Sequence, residues 1–207
     1  MGRLFSLDNP VWNFLGKIVD MLILTVLWLV TSLPIITIGA STTALYYHML
    51  KLAENKEGYL FRSYFKAFKE NFKQSTICWL IMLVIGLVLA GDFCICNSLQ
   101  TPAAKMLMIA FFVFAYVYLM IITYLFPLIA RCDTGIKNLF AMAFMMSIKD
   151  FGWTLLMIVI TVCVFAIGIF VQWLFLFISV GLISYLNSLI LKLVFEKYHL
   201  GLEDALL

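Results

Sequence analysis

The stretch "FGWTLLMIVITVCVFAIGIFVQWLFLFISVGLISYLNSLIL", Phe151 to Leu191, runs for 41 residues without a charged side chain. As one helix it would measure about 60 Å at 1.5 Å per residue, about twice the hydrocarbon thickness of a bilayer. It must therefore fold back. The run predicts two membrane spans, about 151–170 and 173–194, with a turn at Val171–Trp173 and Trp173 as an interfacial anchor.

Uncharged runs also cover Met21–Tyr47, Gln74–Gly91 and Met106–Ala130, each long enough for one span. The chain is 65% hydrophobic and 12% charged, whereas a soluble domain has about half and about a quarter respectively. Charged residues fall in clusters and do not make a continuous water-facing surface. The weakest candidate holds 13 Leu, Ile or Val between Ile18 and Ile38, worth about −4 to −8 kcal/mol on an insertion scale. The predicted fold is an all-α integral membrane protein, a single multi-pass domain over 1–207. It has about five transmembrane helices (14–33, 75–96, 106–129, 151–170, 173–194) plus cytoplasmic amphipathic helices, with a cytoplasmic helical segment over 40–74. The N-terminal stretch lacks a clear small-residue cleavage site and reads as retained.

Eleven basic residues fall on one side of this topology (Lys51, Lys56, Arg62, Lys66, Lys69, Lys73, Arg131, Lys137, Lys149, Lys192, Lys197) and three on the other (Arg3, Lys17, Lys105). Basic loops stay in the cytoplasm. The expected localisation is the cell membrane, with the N-terminus outside and the C-terminus cytoplasmic.

In "SLPIITIGASTTALYYHML" (Ser32–Leu50) Pro34 disfavours helix at Leu33, Gly39 permits a turn, and Ser41 or Thr42 can cap a new helix. These four residues read as a hinge between a span and a cytoplasmic-side helix, or as an irregular segment dipping into a protein-lined cavity. Gly58 suits the end of that helix. In "FRSYFKAFKENFK", Phe61, Phe65, Phe68 and Phe72 recur at i, i+4, i+7 and i+11. Arg62, Lys66, Lys69 and Lys73 follow one residue later. This pattern predicts an amphipathic helix that meets the membrane surface, a partner or the protein's own spans. A weaker amphipathic segment, "GIKNLFAMAFMMSIKD", follows the third span, giving a faint repeat of span, helix, span.

The motifs "SLPIITIGASTTALYY", "EGYLFRSYFKAFKENFKQS" and "FPLIARCDTGIKN" together resemble the YesL-like family of bacterial integral membrane proteins, a family of unknown function. At Cys132 to Gly135 the chain departs from that family's aromatic-Asp-Asn pattern. The resemblance implies a link to carbohydrate uptake, with an ABC-type sugar importer or a sensor kinase as partner, and no mechanism.

Polar groups inside spans are costly and so are functional candidates: Asn13, Lys17 and Asp20 near the first span, and Ser184, Asn187 and Ser188 in the last. The competing roles are an interfacial Lys17–Asp20 pair and helix-to-helix glue. No metalloprotease, nucleophile-elbow or phosphate-loop motif occurs. His199 with Glu203, and Asp92 with Cys94 and Cys96, are weak ligand sets. The five cysteines form no CxxC pair. The expectation is no enzyme, no catalytic or metal residue, no cofactor and no nucleic acid. The lipid bilayer is the expected partner. The favoured function is a membrane-embedded accessory or regulatory component; the alternative is a small-solute transporter or permease-like subunit.

Overall fold

The computed structural model describes residues 10–56, 59–99, 102–171 and 173–198. Among these residues it is built from helices, with no strand: α1 (Pro10–Thr31), a 3-10 turn (Ile35–Thr37), α2 (Ile38–Ala53), α3 (Leu60–Leu99), α4 (Pro102–Ile129), α5 (Ile136–Lys149), α6 (Phe151–Val171) and α7 (Trp173–Lys197). Four described segments are long and apolar enough to cross a membrane: Leu60–Ser98, Leu107–Ile129, Phe151–Ile169 and Ile178–Lys197. The remaining expected span is α1, whose 22 residues reach about 33 Å. Its outward Val19, Val26 and Val30 are each more than half exposed, but Asp20 near its start lines one cavity with Lys56 and Leu60, so α1 lies beside the first half of α3 and is not one of the four crossing segments. The long uncharged run folds back as expected. Helix α6 ends at Val171 and α7 begins at Trp173, and the two pack antiparallel, with Asn187 donating to Thr161 and Lys197 reaching Asp150. Residue 172 and the side chain of Trp173 lie outside the described residues.

The opening of α2 differs from its sequence reading. Pro34 is extended (φ −76°, ψ 122°), α1 stops at Thr31, and the chain turns through the 3-10 segment. The N-cap is Thr37, not Ser41 or Thr42. Its hydroxyl serves the end of α1 instead, lying 2.6 Å from the Thr31 carbonyl and 2.7 Å from that of Pro34. Ser41 donates to the Thr37 carbonyl, and Thr42 accepts the Trp28 indole N–H at 3.1 Å. Gly39 is no turn residue. It sits inside α2, where an added Cβ would lie 2.5 Å from the Ser75 carbonyl oxygen and 2.6 Å from Trp79 Cβ; only a glycine lets α2 and α3 approach so closely. The chain continues as a helix because Gly39 costs less in propensity than the close packing returns.

Helix α2 returns antiparallel to α1: Trp28 meets Thr42 near one end, and Lys17 reaches Asn55 at the other. It is equally antiparallel to the first half of α3, with Thr43 against Ser75 and His48 against Tyr64. Twelve of its 16 residues are buried, so it is an internal helix and not a peripheral one. Its C-terminus closes as a Schellman motif, with Lys56 N–H on the Lys51 carbonyl and Asn55 N–H on that of Leu52. Asn55 takes the left-handed conformation (φ 56°), the role expected of Gly58, which lies outside the described residues.

The largest departure is α3. A separate amphipathic helix and a span from residue 75 were expected, and the two form one uninterrupted 40-residue helix. No proline interrupts Leu60–Leu99, and Gln74-Ser75-Thr76 alone does not break a helix whose face packs on α2. At about 60 Å, α3 is twice as long as a hydrocarbon layer is thick. Its apolar second half pairs with α4, through Phe93 against Phe112 and Gly86 close to the Tyr118 hydroxyl. Helix α5 then packs Leu139, Ala143 and Met146 into the core that α4 shares with α7.

Candidate functional site

The first half of α3 has two distinct faces. Tyr64 and Ala67 are buried, and the same face continues through Ser75, Cys78 and Met82. It is the face that packs. The Phe61, Phe65, Phe68 and Phe72 stripe lies beside it: Phe68 joins the core with Tyr64 and Ala67, whereas Phe61, Phe65 and Phe72 are exposed at 59%, 43% and 39%. Packing on the protein's own spans therefore accounts for one of the four rings. Arg62, Lys66, Lys69 and Lys73 are all exposed, and Lys66 lies 3.8 Å from Glu70 in a helical i, i+4 pair.

Several contacts hold this half of α3 rigid. The Tyr64 hydroxyl lies 2.9 Å from Thr31 Oγ1 and donates to the Ser41 carbonyl, joining α1, α2 and α3 at one ring. The Thr43 and Ser75 hydroxyls meet at 2.9 Å, and the Trp79 indole donates to the Ile35 carbonyl. His48 stacks on Tyr64. Burial, aided by the Lys51 charge, lowers its pKa to about 4, so its imidazole is neutral at ordinary pH. Its Nε2 is buried without a hydrogen-bond partner, beside a cavity of about 20 Å³ lined by Asp20, His48, Lys51 and Lys56 among others.

A charged clamp fixes the other side. Arg131, at the end of α4, is buried, pairs with Glu54 at the end of α2, and places its guanidinium 5.0 Å from the Phe195 ring centroid. Gln74 donates to the Thr134 carbonyl, tying the same loop to the middle of α3. Between them lies a recess of about 370 Å³ lined by Tyr47, Glu70, Asn71, Arg131 and Asp133 among others. At the α5–α6 corner, Asp150 is buried and accepts from Lys197 at 2.6 Å and Tyr198 at 2.8 Å. The sequence reading missed Glu54, Arg131 and Asp150. Arg131 stood out only as the charge that ends an uncharged run, and its partner lies 77 residues away.

The polar span residues have structural neighbours. Lys17 donates to Asn55 at 2.5 Å, Asp20 lines the small cavity, and the side chain of Asn13 lies outside the described residues. Ser184, Asn187 and Ser188 are buried. Ser184 and Asn187 are turned toward Tyr46 of α2, and Asn187 bridges to Thr161 of α6. Cys94 is exposed and Cys96 buried, on different faces of α3. No group of three metal-ligating side chains occurs among the described residues; His199 and Glu203 lie outside them.

The family model "Protein of unknown function, DUF624" matches residues 21–93, the stretch from α1 through the buried α2 and most of α3. Over 202 residues the chain is 25% identical to "Uncharacterized protein YesL" of Bacillus subtilis (strain 168), covering 96% of this chain and 94% of that protein. The resemblance to the YesL-like family holds. The chain is also 25% identical to "Uncharacterized protein YteU" of the same organism, over 83% of this chain and 78% of that one. No solved structure matches. The chain is thus a helical membrane protein similar to proteins of unknown function.

Proposed function

We propose that this protein is an accessory or regulatory component of the cell membrane that contacts a carbohydrate importer of the ABC type or a sensor kinase through its extramembrane helices. The observation that carries the reading is the exposed face of α3: Phe61, Phe65 and Phe72 beside four exposed cations, on a helix too long for the bilayer. Exposed rings next to charges on a rigid helix mark contact surfaces more than channels. In this reading the basic loops, including this half of α3, face the cytoplasm, and so does the start of α1, since Lys17 meets Asn55 beside Lys56, in place of the outside N-terminus expected from the span count. The polar groups of α7 act as glue between helices, in keeping with the Asn187–Thr161 contact.

A photoreactive residue at Phe65, irradiated in native membranes, tests this. The expected adduct contains a subunit of a sugar importer or a sensor kinase. Solute uptake by vesicles holding only this protein, with no such adduct, would instead establish the transporter alternative. Thiol labelling of single cysteines in intact cells tests orientation: positions 56 and 137 should be shielded and position 101 reactive.

A further inference from the structure

Resting on that reading, we propose that the first half of α3 is a docking rail for an acidic amphipathic helix of the partner, with apolar side chains on the Phe stripe and carboxylates on Arg62, Lys66, Lys69 and Lys73.

Three possible occupants compete for this face, and distance and charge separate them. The hydrophobic stretch of α3 begins at Ile77. Along the helix, Lys73 lies about 6 Å before it, Lys69 about 12 Å, Lys66 about 17 Å and Arg62 about 22 Å. A headgroup layer is about 5–8 Å deep on each side. Lys73, and Lys69 with its side chain extended, can meet lipid phosphates. Arg62 cannot, since even a tilt of about 40° leaves it about 17 Å from the hydrocarbon, whereas Lys66, at about 13 Å under that tilt, stands at the limit of reach. A helix lying flat in the headgroup layer would bring all four within reach, but unbroken α3 does not allow that bend.

A second copy of the chain fits no better, because a two-fold contact through this face would set four cations against four. An acidic partner is complementary along the whole rail. The two stripes run side by side for 11 residues, about 16 Å, the length over which one partner helix can present side chains at i, i+4, i+7 and i+11. At the membrane-distal end the rail opens into a recess of about 260 Å³ lined by Tyr59, Leu60, Phe61 and Arg62, which can seat one large apolar side chain. The rail is pre-ordered by Tyr64, Thr43 and Ser75 on its opposite face, so docking requires little ordering of α3 itself.

The test uses the full chain in phosphatidylcholine nanodiscs and a fluorescent helical peptide with Leu and Glu at these spacings, compared with a Leu and Lys peptide. The acidic peptide should bind about tenfold or more tightly than the basic one. Reversing Arg62, Lys66, Lys69 and Lys73 to Glu should invert that preference, and replacing Phe61 and Phe65 by Ser should weaken both peptides. Equal binding of the two peptides overturns the proposal. So does hydrogen-exchange protection that rises equally over 60–66 and 69–73 when anionic lipid replaces phosphatidylcholine without peptide, since lipid would then occupy the whole rail. An importer or kinase adduct at Phe65 without peptide preference would sink the acidic-helix chemistry and leave the accessory function standing. Peptide preference without such an adduct would do the reverse.

Discussion

Substituting Gly39 by Ala tests the packing that makes α2 internal. The new methyl would lie 2.5 Å from a backbone oxygen of α3 and 2.6 Å from Trp79 Cβ, neither of which can swing aside. Restoring ordinary contact requires α2 and α3 to separate by about 1 Å. That movement also stretches the 2.9 Å Thr43–Ser75 hydroxyl contact beyond hydrogen-bond length. Overpacking costs about 1–3 kcal/mol, and a lost hydrogen bond between membrane helices about 0.6 kcal/mol. The better helix propensity of Ala returns up to about 1 kcal/mol. The net expectation is a loss of about 1–3 kcal/mol. Thermal unfolding of the purified protein in detergent, followed by tryptophan fluorescence, measures it against Gly91→Ala, where nothing lies within 4 Å of the added methyl. Gly91→Ala should be neutral or slightly stabilising. Equal stability of the two variants would refute the close approach of α2 and α3.

Further outcomes follow from the charged contacts. Removing one partner of the buried pair, by Arg131→Met or Glu54→Leu, should lower stability by about 3–5 kcal/mol, and the double variant with both substitutions should lose less; denaturant titration of the four proteins checks the cycle. His48 has a folded pKa of about 4, below the unfolded value of about 6.5. The unfolded chain therefore takes up a proton first as pH falls, and stability drops between pH 6.5 and 4, by about 3 kcal/mol in all. His48→Phe should remove that part of the pH dependence, as read from unfolding midpoints across the range.

The spans were legible because bilayer thickness is an external ruler: an uncharged run of known length must cross once or fold back, whatever its neighbours do. That the run Phe151–Leu191 folds back on itself follows from that ruler. The amphipathic pattern from Phe61 to Lys73 was legible too, but its continuity with the span was not. Periodicity reports which residues share a face and says nothing of whether two helical segments are coaxial. The burial of α2 was hidden for a related reason. Its Ser, Thr, Tyr and His residues look water-facing in composition, yet Thr43 meets the Ser75 hydroxyl and the Ser41 carbonyl accepts from Tyr64, both across the contact with α3. Gly39 reads equally well as a turn or as a close contact until the facing helix is known. Arg131 with Glu54, and Asp150 with Lys197, join residues far apart in the chain, and one sequence contains no signal that pairs them.

The central claim is that α3 runs unbroken from the bilayer into the aqueous phase, and depth along it is the most direct measurement. Spin labels at single cysteines from position 61 to 93, in a cysteine-free chain in nanodiscs, report depth through the ratio of oxygen to aqueous-reagent accessibility. The account predicts a steady rise in aqueous exposure of about 1.5 Å per residue from Ile77 back to Phe61, with oxygen access highest between about 80 and 93. A constant, shallow depth from 61 to 73 would mean that this segment lies flat in the headgroup layer, and would contradict it.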